Sequence, residues 1–189
     1  MEDLLKAFLS LFIIMDAFGA LPIFIAITKN YPLQYKKKAA NNAVYVAGIV
    51  LFLFLFFGLA ILDFFGINFS NFKVAGGLVL LIIGIKIVLG LHFREENGSK
   101  YQLAVVPLAT PLITGPGVIT TVIILVGQYG YYIAMIASLM NLLLTWIVLH
   151  NSEFFFKILG RQGSEVLSRI MGLLLTAIGV QFIRVGFGI

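Results

Sequence analysis

Asp16-Ala17-Phe18-Gly19-Ala20-Leu21-Pro22 interrupts one apolar stretch of the chain, and Thr110-Pro111-Leu112-Ile113-Thr114-Gly115-Pro116 interrupts another. A shift of 94 residues lays Asp16-Ala17 on Thr110-Pro111 and Pro22 on Pro116. Helix breakers at corresponding places of two hydrophobic segments point to discontinuous membrane helices, from which transporter binding sites are built.

The rest of the chain agrees with a membrane setting. It is 61% hydrophobic and 11% charged, with a mean hydropathy of +1.07. A soluble domain is about half apolar and a quarter charged. Between Lys100 and Glu153 lie 52 residues without one Asp, Glu, Lys or Arg. A spanning helix needs about 20, so this run is expected to fold as two spans, with a turn at Gly127-Gln128-Tyr129-Gly130. Extending the same reading gives six spans, near 4–28, 39–62, 72–91, 102–126, 130–151 and 167–186, the third capped by Ser70 or Asn71. The start, Met1-Glu2-Asp3-Leu4-Leu5-Lys6, has no basic n-region, so the first segment is expected to be a retained span.

Charge orients the spans. Lys29, Lys36, Lys37, Lys38, Arg94, Lys100, Lys157, Arg161 and Arg169 fall in connections on one side, against Lys6 and Lys73 on the other. The positive-inside rule puts the nine in the cytoplasm and both termini outside. Lys86 and Arg184, near helix ends, are expected to snorkel. The net charge of +5 is loop charge of this kind, and gives no reason to expect nucleic acid as a partner.

The third and sixth segments also align, at an offset of 95, with Gly77 on Gly172 and Gly84 on Gly179. These glycines fit helix packing better than ligand binding. They also mark a duplication, residues 1–94 and 95–189 of a single membrane domain. Three spans per copy reverse the second copy's direction, so the expected fold is all-α, two inverted three-helix repeats with helices 1 and 4 discontinuous.

A helix that stops inside the bilayer frees backbone polar groups, each costly in lipid, so each break must face protein, water or ligand. Gly115-Pro116-Gly117 reads as the start of a half-helix whose free N–H groups suit a carboxylate, with proline at the first helical position. Gly19 and Pro22 offer a weaker version, and Thr110 and Thr114 add hydroxyls. Asp16 is the only acid well inside a span. It can pair with a substrate ammonium, bind a cation, carry a proton, or simply cap the second half of helix 1. Amides for a carboxylate beside one carboxylate suit a small zwitterion such as an amino acid. Asn141 is a further interior polar candidate, although such residues more often join helices.

At these residues the chain resembles the MarC family, which includes the SnatA-type neutral amino acid transporters. The family pattern Asp-Pro-x-Gly-x-x-Pro-x-Phe reads here Asp16-Ala17-Phe18-Gly19-Ala20-Leu21-Pro22-Ile23-Phe24, with Ala17 in place of the usual proline. The pattern Thr-Pro-Leu-x-x-Gly-Pro-Gly reads Thr110-Pro111-Leu112-Ile113-Thr114-Gly115-Pro116-Gly117. The resemblance implies a six-helix inner-membrane carrier of small neutral amino acids such as glycine and alanine, driven by an ion gradient.

Other classes are weaker. An exporter of amino acids or other small solutes shares every feature above, because nothing fixes direction. A pore lacks a carbonyl filter or a ring of charges. An enzyme is not expected: His92 and His150 sit at span ends and Asp16 has no acidic or histidine partner in a span. With no cysteine there is no thiolate chemistry, and no cofactor is expected beyond Na⁺ or H⁺ as coupling ion.

Overall fold

The computed structural model describes residues 1–28, 31–90 and 113–188, and every described element is helical. In chain order these are α1 (Glu2–Met15), α2 (Ala17–Thr28), α3 (Leu33–Phe64), α4 (Phe69–Val88), α5 (Pro116–His150) and α6 (Ser152–Gly186). Residues 102–112, expected to carry the first half of helix 4 and Thr110, lie outside the described residues.

Among the described residues, five helical stretches are long and apolar enough to cross a membrane: Glu2–Pro22, Leu33–Phe64, Phe69–Val88, Pro116–His150 and Ser152–Gly186. Their outer faces carry large apolar side chains such as Leu53, Phe57, Ile82, Leu143 and Leu173, all exposed. A water-soluble protein does not display that much contiguous apolar surface, whereas lipid takes it up at no cost.

Several helices outrun their apolar cores. α3 begins at Leu33 rather than near Ala39, and at 1.5 Å per residue its 32 residues reach about 48 Å, beyond a hydrocarbon layer of ~30 Å. Lys36, Lys37 and Lys38 are good helix formers, so charge takes this turn out of the membrane without ending the helix. The same holds for α6, which starts at Ser152 rather than near Leu167 and breaks only at Gly160 (φ 64°). There Arg161 pairs with Glu165 one turn on, at 3.1 Å. α5 likewise continues through 127–129, and its helical dihedrals fail only at Gly130 (φ 81°, ψ 168°), inside the expected turn.

Caps set the other ends. Asn68, not Ser70 or Asn71, opens α4, its Oδ1 accepting from Ser70 N at 2.9 Å. α3 closes with Gly66 at φ 65°, while Ile67 N reaches Leu62 O at 2.8 Å and Gly66 N reaches Asp63 O at 2.9 Å. This paired closure needs the left-handed residue that glycine supplies without a Cβ penalty.

Packing follows the small residues. Ala39, Ala43, Ala47, Leu51 and Leu55 form one buried row at four-residue spacing on α3, and Ala7, Leu11 and Met15 form another on α1. Both rows meet α5 in the larger core cluster. The first segment of α5 is buried almost all round from Gly117 to Val126, as befits a central helix.

The most extensive contact joins α4 and α6. A Cβ on Gly77 would lie 2.5 Å from the Gly179 carbonyl oxygen, and one on Gly84 would lie 2.7 Å from that of Gly172. Position rises along α4 as it falls along α6, so the two helices run antiparallel, backbone against backbone. The glycine stripe therefore serves packing, the reading the sequence favoured for it.

Candidate functional site

The site is organised by Asp16. It is the only non-glycine residue with positive φ among the described residues (φ 36°, ψ 56°). Aspartate tolerates this left-handed conformation better than most residues, yet the geometry still costs about 1 kcal/mol or more. Its N–H closes α1 on Phe12 O at 3.2 Å, and its carbonyl accepts from Ala20 N at 3.1 Å to open α2. Its side chain caps α2, Oδ1 accepting from Gly19 N at 3.0 Å. The capping role weighed from sequence is thus present in the geometry.

The second carboxylate oxygen goes elsewhere. Ser168 on α6 donates its Oγ–H to Asp16 Oδ2 at 2.7 Å. One carboxylate therefore joins the α1–α2 break to a helix more than 150 residues away. Gly19 belongs to the same cluster: a Cβ there would collide with the Asp16 carboxylate and lie 2.5 Å from Ser168 Oγ. Glycine at 19 keeps the carboxylate and the serine together. One turn before Ser168, Ser164 is fully buried and its hydroxyl has no hydrogen-bond partner among the described residues. Helical spacing puts the two serines on one face of α6.

Pro22 departs from expectation. It does not open a half-helix but lies inside α2, which has already begun at Ala17 under the Asp16 cap. Proline supplies no N–H, so the carbonyl of Phe18, four residues back, loses its helical donor.

A helix starts at Gly115-Pro116, as the sequence leads one to expect. Gly115 is the N-cap of α5 in extended conformation (φ −72°, ψ 177°), Pro116 takes the first helical turn, and no side chain caps the end. Ile119 N returns to Gly115 O at 3.1 Å. The N–H groups of Gly117 and Val118 precede the first intrahelical bond and are the anion-seeking groups of this terminus. Thr114 is buried and donates to Ala47 O of α3 at 3.0 Å.

The start of α5 lies beside the end of α1. A Cβ on Gly117 would sit 3.5 Å from Ile14, two residues before Asp16, and 3.0 Å from Leu80 of α4. Asn141, by contrast, spends its amide donors on backbone, Nδ2 reaching Phe8 O of α1 at 3.1 Å and Ala137 O at 2.9 Å. It joins α5 to α1. Thr110 lies outside the described residues.

Ser168 and Ser164 are the residues that sequence reasoning missed. A serine in a helix can bond its own preceding turn, so neither carries a local mark of a distant partner.

Two cavities lie away from this cluster. One of about 260 Å³ opens where the start of α3 meets the α5–α6 junction, and one of about 170 Å³ lies against Met1, Leu4, Leu5, Phe8 and Met140.

Comparison with known proteins gives one consistent result. The model of the MarC family integral membrane proteins matches residues 1–188. A UPF0056 membrane protein of Methanocaldococcus jannaschii is 38% identical, over 97% of this chain and 95% of the relative. One of Archaeoglobus fulgidus is 37% identical, over 94% of this chain and 88% of the relative. One of Buchnera aphidicola from Acyrthosiphon pisum is 32% identical, over 97% and 91%. No solved structure matches.

Proposed function

Because this chain belongs to the MarC family of integral membrane proteins, we propose that it is a secondary active transporter of small neutral amino acids such as glycine and alanine, coupled to an H⁺ or Na⁺ gradient. The observation that carries the reading is the Asp16 junction: a left-handed acid between two membrane helices, capping one and bonded to Ser168 of another. An ionisable residue buried among membrane helices is expensive and marks a transport pathway by default.

The chemistry follows from the parts. The substrate carboxylate takes the N–H groups of Gly117 and Val118 at the start of α5, where the helix dipole favours negative charge. The substrate ammonium, or the coupling ion, takes Asp16. Gly19, Gly115 and Gly117 add no side chains around the solute, which suits a small amino acid. Thr114 holds the approach to α5 against α3. The reading involves no cofactor beyond Na⁺ or H⁺ as coupling ion.

Alternation needs an element with two states. The Ser168–Asp16 bond ties the α1–α2 break to α6, and an incoming cation competes with Ser168 for the same oxygen. Substrate and ion thereby bias whether the two halves stay latched.

The architecture in this proposal is two inverted three-helix repeats, the second interrupted helix including residues 110–116. Exchanging the copies at the offset of 95 carries the Gly77–Gly179 contact onto the Gly172–Gly84 contact, as a two-fold in the membrane plane requires. The nine clustered cations orient it with both termini outside an inner membrane.

The test is calorimetric titration of the purified protein with glycine and alanine, beside glycinamide and N-acetylglycine. The parent amino acids should bind and both blocked forms should fail. Equal binding of either blocked form would remove the zwitterion site.

A further inference from the structure

The cavity of about 260 Å³ at the start of α3 has no part in the transport reading. Its polar lining is Lys36, Lys37, His150, Asn151, Ser152 and the Glu153 carboxylate, beside Leu33 and Phe154. Lys36 is bound to Glu153 at 2.8 Å, whereas Lys37 makes no ion pair among the described residues. Ser152 is only 4% exposed and lines this cavity, and its hydroxyl makes no hydrogen bond to a described residue. It is also the first residue of α6, whose N-terminus has no side-chain cap. The Ser152 hydroxyl, two ammonium groups and the N–H groups of Ser152 and Glu153 at the uncapped start of α6 together describe a seat for an oxyanion.

The rim narrows the class of ligand. Leu33 and Phe154 are exposed, 56% and 61%, beside the charged wall. Trp146, a side chain typical of the lipid headgroup level, stands nearby, donating its Nε1–H to Asn41 Oδ1 at 2.8 Å with its ring centroid 4.8 Å from that of His150 in a tilted pair. A soluble anion has no use for that apolar rim.

The geometry points to a binding site for the phosphate of an anionic phospholipid, its headgroup held by Lys36, Lys37 and Ser152 and its acyl-glycerol part lying on Leu33 and Phe154. Basic recesses between membrane helices take lipid headgroups in this way. Glu153 is the built-in competitor, since it holds Lys36 when no lipid does.

The test is retention of phosphatidylglycerol by the detergent-purified full chain, read by native mass spectrometry against phosphatidylcholine. Phosphatidylglycerol should be preferred. Lys37→Gln should weaken it roughly five-fold, the share of one juxtamembrane lysine. Lys38→Gln removes the same charge from the next residue but not from the cavity, and should change little. Glu153→Gln should tighten retention by freeing Lys36. Ser152→Ala, a mild change at a helix start, should weaken it without loss of charge. Equal losses for Lys37→Gln and Lys38→Gln would reduce the site to general loop charge and overturn the proposal. Displacement of the lipid by millimolar inorganic phosphate would also overturn it, by making free phosphate the ligand.

Discussion

Ser168 and Asp16 share a hydrogen bond of 2.7 Å across 152 residues of sequence, and it ties the α1–α2 break to the last helix. The other oxygen of the same carboxylate caps α2 through Gly19 N. Asp16 thus does local and long-range work with different atoms, and the two can be separated by substitution.

Asp16→Asn keeps an acceptor for the Gly19 N–H, and asparagine caps helices about as well as aspartate. The helix break should survive. The charge that pairs with a substrate ammonium or coupling ion is gone. Gradient-driven glycine uptake in proteoliposomes should fall to background while the protein stays monodisperse and helical. Normal coupled uptake by this variant would take Asp16 out of the mechanism.

Ser168→Ala removes the donor and leaves Asp16 Oδ2 without its partner. The acceptor is half-buried, so the cost should lie toward the low end of the ~1–3 kcal/mol expected for a fully buried one. If the bond latches α6 to the break, the loss should also alter transport kinetics, with a larger change in turnover than in apparent substrate affinity. Unfolding in mixed micelles gives the first quantity, and initial rates over a glycine series give the second. Ser168→Thr retains the hydroxyl and should recover both in part.

Gly84→Val adds side chain where only 2.7 Å separates a Cβ from the Gly172 carbonyl oxygen. Backbone cannot yield as a side-chain tip can, so overpacking here should cost about 1–3 kcal/mol or more. Gly163→Ala meets only ordinary contact, 3.5 Å from Leu159 Cβ, and a helical alanine gains about 0.5–1 kcal/mol over glycine. Opposite signs in one unfolding assay would establish the α4–α6 seam as a packing device. A tolerated Gly84→Val would refute it.

Asn141→Ala should lower stability without moving the apparent affinity for glycine, because its amide donors go to Phe8 O and Ala137 O. Interhelical bonds in membranes average only about 0.6 kcal/mol, so the loss should be small. A ten-fold weaker apparent affinity would instead return Asn141 to the substrate site.

Much of this arrangement was legible in the chain, for identifiable reasons. Helix termini are governed locally, so the end of α1 at Asp16 and the start of α5 at Gly115-Pro116 could be recognised from side-chain chemistry alone. Pro22 misled because proline is a poor helix residue in isolation. The Asp16 cap had already started α2, and proline within a helix is tolerated where neighbouring groups take up the freed carbonyl. Asn68 won over Ser70 and Asn71 as the α4 cap, although all three are good caps. Hydropathy found the membrane portions of α3 and α6 but not their helical ends, since lysine and arginine leave the bilayer without leaving the helix. Ser168 could not be seen at all, because its role exists only once α2 packs on α6.

Orientation is open to a direct test, because the chain has no cysteine and each introduced one is unique. Lys37 and Gly188 are both exposed, the first in the cluster of basic connections and the second beyond the end of α6. A Cβ at Gly188 meets nothing within 4 Å, although its φ of 75° adds some strain. In intact cells an impermeant maleimide should label Gly188→Cys, whereas Lys37→Cys should react only after the membrane is opened. The two sites lie at opposite ends of the spans in the proposed arrangement, so both labelling from the same side would break the inverted repeat. The reverse pattern would keep the repeat and turn the molecule over. In that case Asp16 would still sit between the same helices, but the basic recess at Lys36 and Lys37 would face away from the cytoplasmic leaflet, where the positive-inside rule puts it.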